Sequence, residues 1–199
     1  MGLYSDFHAY YRKVLYNSPM WENMAAVTEG SPWHREANVR IHTEMVVKEY
    51  ILRTPGEWTT SDMRGAIACA FHDVGKPKAK VTKYNAQRGQ YFAFHGHEQV
   101  SARSWEDYAV REWSTLEQWF EWDDIYKIGW MIEYHVPWAL KDQNKRIMLA
   151  KTANYVDSNV FTRVLLADQY GRESDDQEAK LTVVRDWVDE FRKLCEEVK

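Results

Sequence analysis

Along most of this chain apolar residues return every third or fourth position rather than every second, which commits the backbone to helices with one buried stripe each. Over 3–16 the stripe is Leu3, Phe7, Tyr10, Tyr11 and Val14. Over 36–53 it is Val39, Val46 and Tyr50, on a face that also holds His42, and "TPGEW" stops the helix. Thr59 and Asp62 stand in capping-box positions ahead of Met63, Ala66, Ile67 and Ala70, which face inward, and Gly75 with Pro77 ends that helix. Further helices are expected over 97–113, 116–135, 145–156, 158–171 and 175–198. Residues 79–94 break the habit: Val81 and Tyr84, then Tyr91 and Phe92, flank a polar centre with Gly89, so a short β-hairpin around 80–93 or an ordered loop is expected. No heptad persists. The expectation is an all-α, irregular multi-helix bundle, and 199 residues suit a single domain over 1–199.

A formal charge of −4 gives no footprint for tracking a long nucleic-acid tract, so a phosphate-bearing substrate should be small or gripped locally. The ten tryptophans must be buried or used, in the core, between helices or at a homo-oligomer contact; Trp33 and Trp138 could instead stack on a base. Cys69 and Cys195 belong to no CxxC pair, which suggests neither a disulfide scaffold nor a zinc knuckle, and Cys69 among alanines reads as core. No apolar run is long enough to span a membrane, and "MGLYSDFHAYYRK" is too polar for a signal peptide. A reducing, cytoplasmic setting is expected.

The residues that carry chemistry are six. His42 lies within the second helix, His72 and Asp73 at the end of the third, His97 at the start of the next, His135 after "GWMIEY", and Asp168 after "VLLA". A lone histidine on an apolar face is more often a hydrogen-bonded core residue than a ligand. Carboxylates at the ends of apolar runs are different, because an isolated buried charge costs several kcal/mol (order of magnitude) unless a cation or partner offsets it. Together these imidazoles and carboxylates describe a mixed nitrogen and oxygen site for a divalent metal.

In its ordered motifs the chain resembles the HD superfamily of metal-dependent phosphohydrolases, whose pattern is a histidine, a later His-Asp pair and a distant aspartate. It is most similar to the HD domain attached to bacterial tRNA CCA-adding nucleotidyltransferases. That domain's "HDIGKP", "GHE" followed by "SA", an "H" after an apolar helix and a "D" with "GR" look like "HDVGKP", "GHEQVSAR", "EYH" and "ADQYGR" here, over about residues 34–172. No nucleotidyltransferase head precedes the motifs in this sequence, so nucleotide addition is not expected, and the tryptophan-rich stretch 104–130 and the C-terminal helix fall outside the pattern.

The resemblance implies hydrolysis of phosphate esters of nucleotides or nucleotide-like molecules, as a phosphomonoesterase or 2′,3′-cyclic phosphodiesterase. It implies a metal held by His42, His72, Asp73 and Asp168, with Mn, Ni, Co, Mg, Fe and Zn all open, and His97 and His135 holding a second ion or contacting phosphate. Lys76 reaches a phosphate or is a solvated lysine at a helix end; Arg103 and Arg172 clamp phosphate oxygens or form surface salt bridges. Glu98 orients a ligand, accepts a proton or merely occupies a first turn, and His34 could approach from the loop before the second helix. Two alternatives stand beside this reading: a deoxynucleoside triphosphate triphosphohydrolase, and a nucleotide-binding module in which the metal only staples the fold.

Overall fold

The computed structural model describes residues 2–28, 35–86, 89–137, 140–175 and 177–199. The fold is all-α with one two-stranded antiparallel hairpin. In chain order the elements are α1 (Leu3–Tyr10), a π-helical turn (Tyr11–Leu15), α2 (Pro19–Ala25), α3 (Val39–Leu52), α4 (Thr60–Phe71), α5 (Lys76–Ala79), β1 (Val81–Asn85), β2 (Gly89–Ala93), α6 (His97–Arg111), α7 (Trp113–Leu116), α8 (Trp122–Glu133), α9 (Gln143–Val156), α10 (Ser158–Tyr170) and α11 (Gln177–Glu197). Among the described residues no helix is long and apolar enough to cross a membrane.

α4 is the axis of the bundle. It starts on the expected box, in which Thr59 accepts from the Asp62 amide and Asp62 accepts from the Thr59 amide. Every residue from Gly65 to Phe71 is buried, because α3, α8 and α10 pack around it. α11 covers α9 and α10 with Leu181, Val184, Val188, Phe191 and Cys195, an apolar stripe at three- and four-residue spacing. Cys69 is fully buried, as its alanine neighbours suggest.

Three expectations change. The helix read over 3–16 switches to a wider turn after Tyr10, and the extra residue per turn rotates the stripe. Leu15 therefore takes the buried position, and Val14 is 38% exposed. The helix read over 116–135 starts later: Leu116 ends the separate short α7, and α8 begins only at Trp122, where Glu121 and Asp124 form a second capping box. Gly75 and Pro77 do more than end α4, because they also open the short α5, with Gly75 at its N-cap.

The hairpin pairs Val81 with Ala93 through Asn85 with Gly89. Of the tryptophans, Trp21 and Trp105 are fully buried, and Trp105 donates to the Ile125 carbonyl across α6 and α8. Trp113 and Trp122 stack on each other with centroids 4.0 Å apart. Trp33, His34 and Trp138 lie outside the described residues.

Candidate metal centre

Five helices deliver the candidate ligands to one place. His42 comes from the first turns of α3, Asp168 from α10, and His97 is the first residue of α6. His72 and Asp73 follow the end of α4, and His135 follows the end of α8. The orphan carbonyls at those two helix ends fix the rings: the Nδ1–H of His72 donates to the Cys69 carbonyl at 2.8 Å, and that of His135 to the Ile132 carbonyl at 2.7 Å. His97 repeats the device on the Phe94 carbonyl at 2.8 Å, and His42 donates to the Gly171 carbonyl at 3.1 Å. With Nδ1 spent as donor four times, each ring presents Nε2 with its lone pair, the form in which neutral imidazole ligates a metal.

Those lone pairs converge. The Nε2 atoms of His42 and His72 are 3.2 Å apart, an arrangement that repels unless a proton or cation lies between them. His42 Nε2 is also 3.1 Å from Asp168 Oδ1 and 3.5 Å from Asp73 Oδ2; His72 Nε2 is 3.2 Å from Asp73 Oδ2 and 3.6 Å from Asp168 Oδ1. Ligands that share a cation at about 2.1 Å are separated by roughly 3.0 Å in octahedral and 3.4 Å in tetrahedral geometry. The observed edges fall in and around that range. On the other oxygen, Asp73 Oδ1 lies 3.1 Å from His97 Nε2 and 3.9 Å from His135 Nε2, so Asp73 links two halves of the cage. His42, His72 and Asp168 bring ligand atoms within 4.8 Å of one another, and so do His72, Asp73 and His135.

The cage is dry. His42, His72, Asp73, His135 and Asp168 are each 1% exposed. Both Asp73 oxygens are buried without an aligned hydrogen bond, although charged nitrogens lie within ion-pair range of each. Burial drives the carboxylates toward neutrality, yet His72 and Lys76 hold Asp73, and Arg172 and His42 hold Asp168, well below the usual range. For His42, burial favours the neutral ring, but bonds to Asp168 and Glu36 outweigh it and raise its pKa to about 9. Burial and the neighbouring imidazoles push His135 down to about 3. Burial also opposes the charged form of His97, and the Asp73 carboxylate beside it raises its pKa overall. The protein groups thus gather anionic carboxylates and imidazole nitrogens in a buried pocket, the mixed oxygen and nitrogen donor set that suits a divalent cation.

Around this core the other sequence candidates separate. Lys76 is not solvated: it is 5% exposed, with Nζ 2.7 Å from Asp73 Oδ2. Arg172 pairs with Asp168 one helical turn away and braces that carboxylate. Glu98 approaches His97 at 3.5 Å on the Nδ1 side, away from the cage, so it supports the ring rather than facing the ligands. Arg103 lies exposed on α6, and among the described residues no hydrogen bond or ion pair joins it to the cage. Gly75 lets the α4–α5 turn dock against the start of α6: a Cβ there would meet the His97 carbonyl at 2.5 Å, and its amide donates to Ser101 Oγ at 2.9 Å.

Glu36 is the residue that the sequence did not announce. Buried at 6% exposure, it faces His42 Nδ1 at 3.2 Å and accepts from the Glu173 amide, tying the approach to α3 to the end of α10. It precedes α3 in an irregular segment, where no periodicity marks a buried position. Comparison with protein-family models and with curated proteins found no match to this chain.

Proposed function

We propose that this protein is a divalent-metal-dependent phosphohydrolase of the HD type, cleaving phosphate esters of nucleotides or nucleotide-like substrates. The observation that carries the reading is the set of imidazoles with Nδ1 committed to backbone carbonyls and Nε2 turned onto Asp73 and Asp168. His42, His72, Asp73 and Asp168 would hold the cation, with His135 beside them. A divalent ion there supplies Lewis acidity, which draws charge from a phosphoryl oxygen and brings the pKa of water from near 16 toward about 7.

The protein's own part is positioning. His97 and Lys76 have the most exposed side chains among the cage residues, at 11% and 6%, so phosphate is expected to enter past them. Lys76 offers a point charge to a phosphoryl oxygen, and His97, once it has taken up a proton at Nε2, can contact phosphate or give that proton to the departing ester oxygen. In the overall reaction a water oxygen bonds to phosphorus as the ester P–O bond breaks, and the released oxygen takes a proton.

The near-complete burial of the ligands favours one second reading, a metal that staples the fold of a nucleotide-binding module. Turnover separates the two. Metal-stripped protein reconstituted in turn with Mn²⁺, Co²⁺, Ni²⁺ and Mg²⁺ should release inorganic phosphate from a nucleoside monophosphate, or open a 2′,3′-cyclic nucleotide. Asp73→Ala should abolish this while the circular-dichroism spectrum is kept. Absence of turnover with every metal and every ester would leave the staple.

A further inference from the structure

The most basic stretch of this acidic chain grows directly out of the cage. From Lys76 to His97, both cage residues and both counted, the sequence has five Lys or Arg and no Asp or Glu, while the remaining residues carry 21 basic against 30 acidic groups. That stretch is the β1–β2 hairpin and its roots. Phe94, at the foot of β2, accepts from His97 Nδ1, and its ring lies 5.7 Å below the Lys76 ammonium.

Along the arm, cations alternate with aromatic rings. Lys80 sits over the Phe92 ring at 3.7 Å, on the face that also carries Tyr84, and Lys83 stands opposite Tyr91 on the other. Tyr84 is 79% exposed, the most exposed large apolar side chain among the described residues. Lys83 Nζ lies 2.8 Å from His95 Nε2, and among the described residues no carboxylate comes within ion-pair range of Lys78, Lys80 or Lys83. Charge without counter-ions, spread along a strand at ~3.3 Å per residue, suits phosphates strung on a chain better than one compact phosphate. Exposed rings between the charges suit unstacked bases.

We infer that the β1–β2 arm is a binding site for the end of a short single-stranded oligonucleotide, which it leads toward the cage. The inference rests on the proposed hydrolase for its chemistry, and its binding test does not. Three lysines that each release a counter-ion from a single strand give a slope of about −2 in log affinity against log salt, roughly a twenty-fold loss from 50 to 200 mM.

The probe is a fluorescein-labelled hexanucleotide of mixed sequence with a 3′-phosphate, titrated by anisotropy against metal-stripped full-length protein so that nothing is cleaved. Binding at 50 mM salt should be at least ten-fold tighter than that of a mononucleotide or ATP used as competitor. Lys78→Gln/Lys80→Gln/Lys83→Gln should weaken it ten-fold or more and flatten the salt slope, and Tyr84→Ala should weaken it about ten-fold without changing the slope. Hydrolysis of a small aryl phosphate by reconstituted protein should stay within two-fold in both variants. If ATP or the mononucleotide competes as well as the oligonucleotide, or the triple variant keeps affinity and slope, the arm is no such site and its lysines only guard the strand edges. Oligonucleotide binding with no hydrolysis of any ester would sustain the arm and overturn the hydrolase.

Discussion

Gly65→Ala tests how the packing of the bundle sets the metal centre. At Gly65 a Cβ would fall 2.1 Å from Tyr50 Oη and 2.7 Å from Val160 Cγ1. Ordinary contact begins near 3.4 Å, so Tyr50 would have to move by about 1.3 Å. Tyr50 is fully buried where α3, α4 and α10 pack on one another, so its displacement pushes these helices apart. These three helices carry His42, the His72–Asp73 pair and Asp168. Overpacking of this kind costs about 1–3 kcal/mol, and the gain in helix propensity from Gly to Ala returns at most about 1. A net loss of about 1–2 kcal/mol lowers a urea midpoint by about 0.5–1 M. Misplacing ligands should weaken Mn²⁺ binding at least ten-fold in calorimetric titration. Adding Tyr50→Phe removes the closest clashing atom, a buried hydroxyl without a hydrogen-bond partner, and should restore part of both losses. A Gly65→Ala protein as stable as the parent, binding Mn²⁺ within two-fold, would refute the argument.

The π-helical turn is checked by a pair of truncations: Leu15→Ala should cost about 2–5 kcal/mol in urea unfolding and Val14→Ala less than about 1, whereas equal costs would restore the uninterrupted stripe. Glu36→Gln should weaken metal binding by about 10–100-fold while leaving unfolding of the metal-stripped protein nearly unchanged, because it holds His42 from outside the cage. Asp62→Ala should cost about 1 kcal/mol at pH 7. Burial opposes the Asp62 carboxylate, but bonds to Thr59 and Arg163 lower its pKa below the unfolded value. Its stabilisation is therefore complete above about pH 4 and lost as pH falls through the folded value, so parent and variant should converge in acid unfolding.

Much of the fold was legible because helix periodicity and capping are local. Thr59 with Asp62, and the polar centre with Gly89 flanked by Val81, Tyr84, Tyr91 and Phe92, act within a few residues, and the helices and hairpin formed where those signals stood. The extra residue in the turn at Tyr11–Leu15 leaves no local mark, since both Val14 and Leu15 suit a buried face. The break after α7 depends on a glutamate acting as N-cap, a residue type that seldom announces a helix start. At the site, His42, His72, Asp73 and Asp168 stood out as polar groups on apolar runs, and the structure brings them together with His97 and His135. Glu36 and the burial of Lys76 did not, because both depend on which distant segments pack over them.

Anomalous diffraction from crystals of the protein reconstituted with Mn²⁺ tests the central claim most directly. The expected result is a strong peak about 2.0–2.3 Å from the Nε2 atoms of His42 and His72 and from the carboxylates of Asp73 and Asp168. A map with no peak among those four side chains, in protein folded as described here, would contradict it.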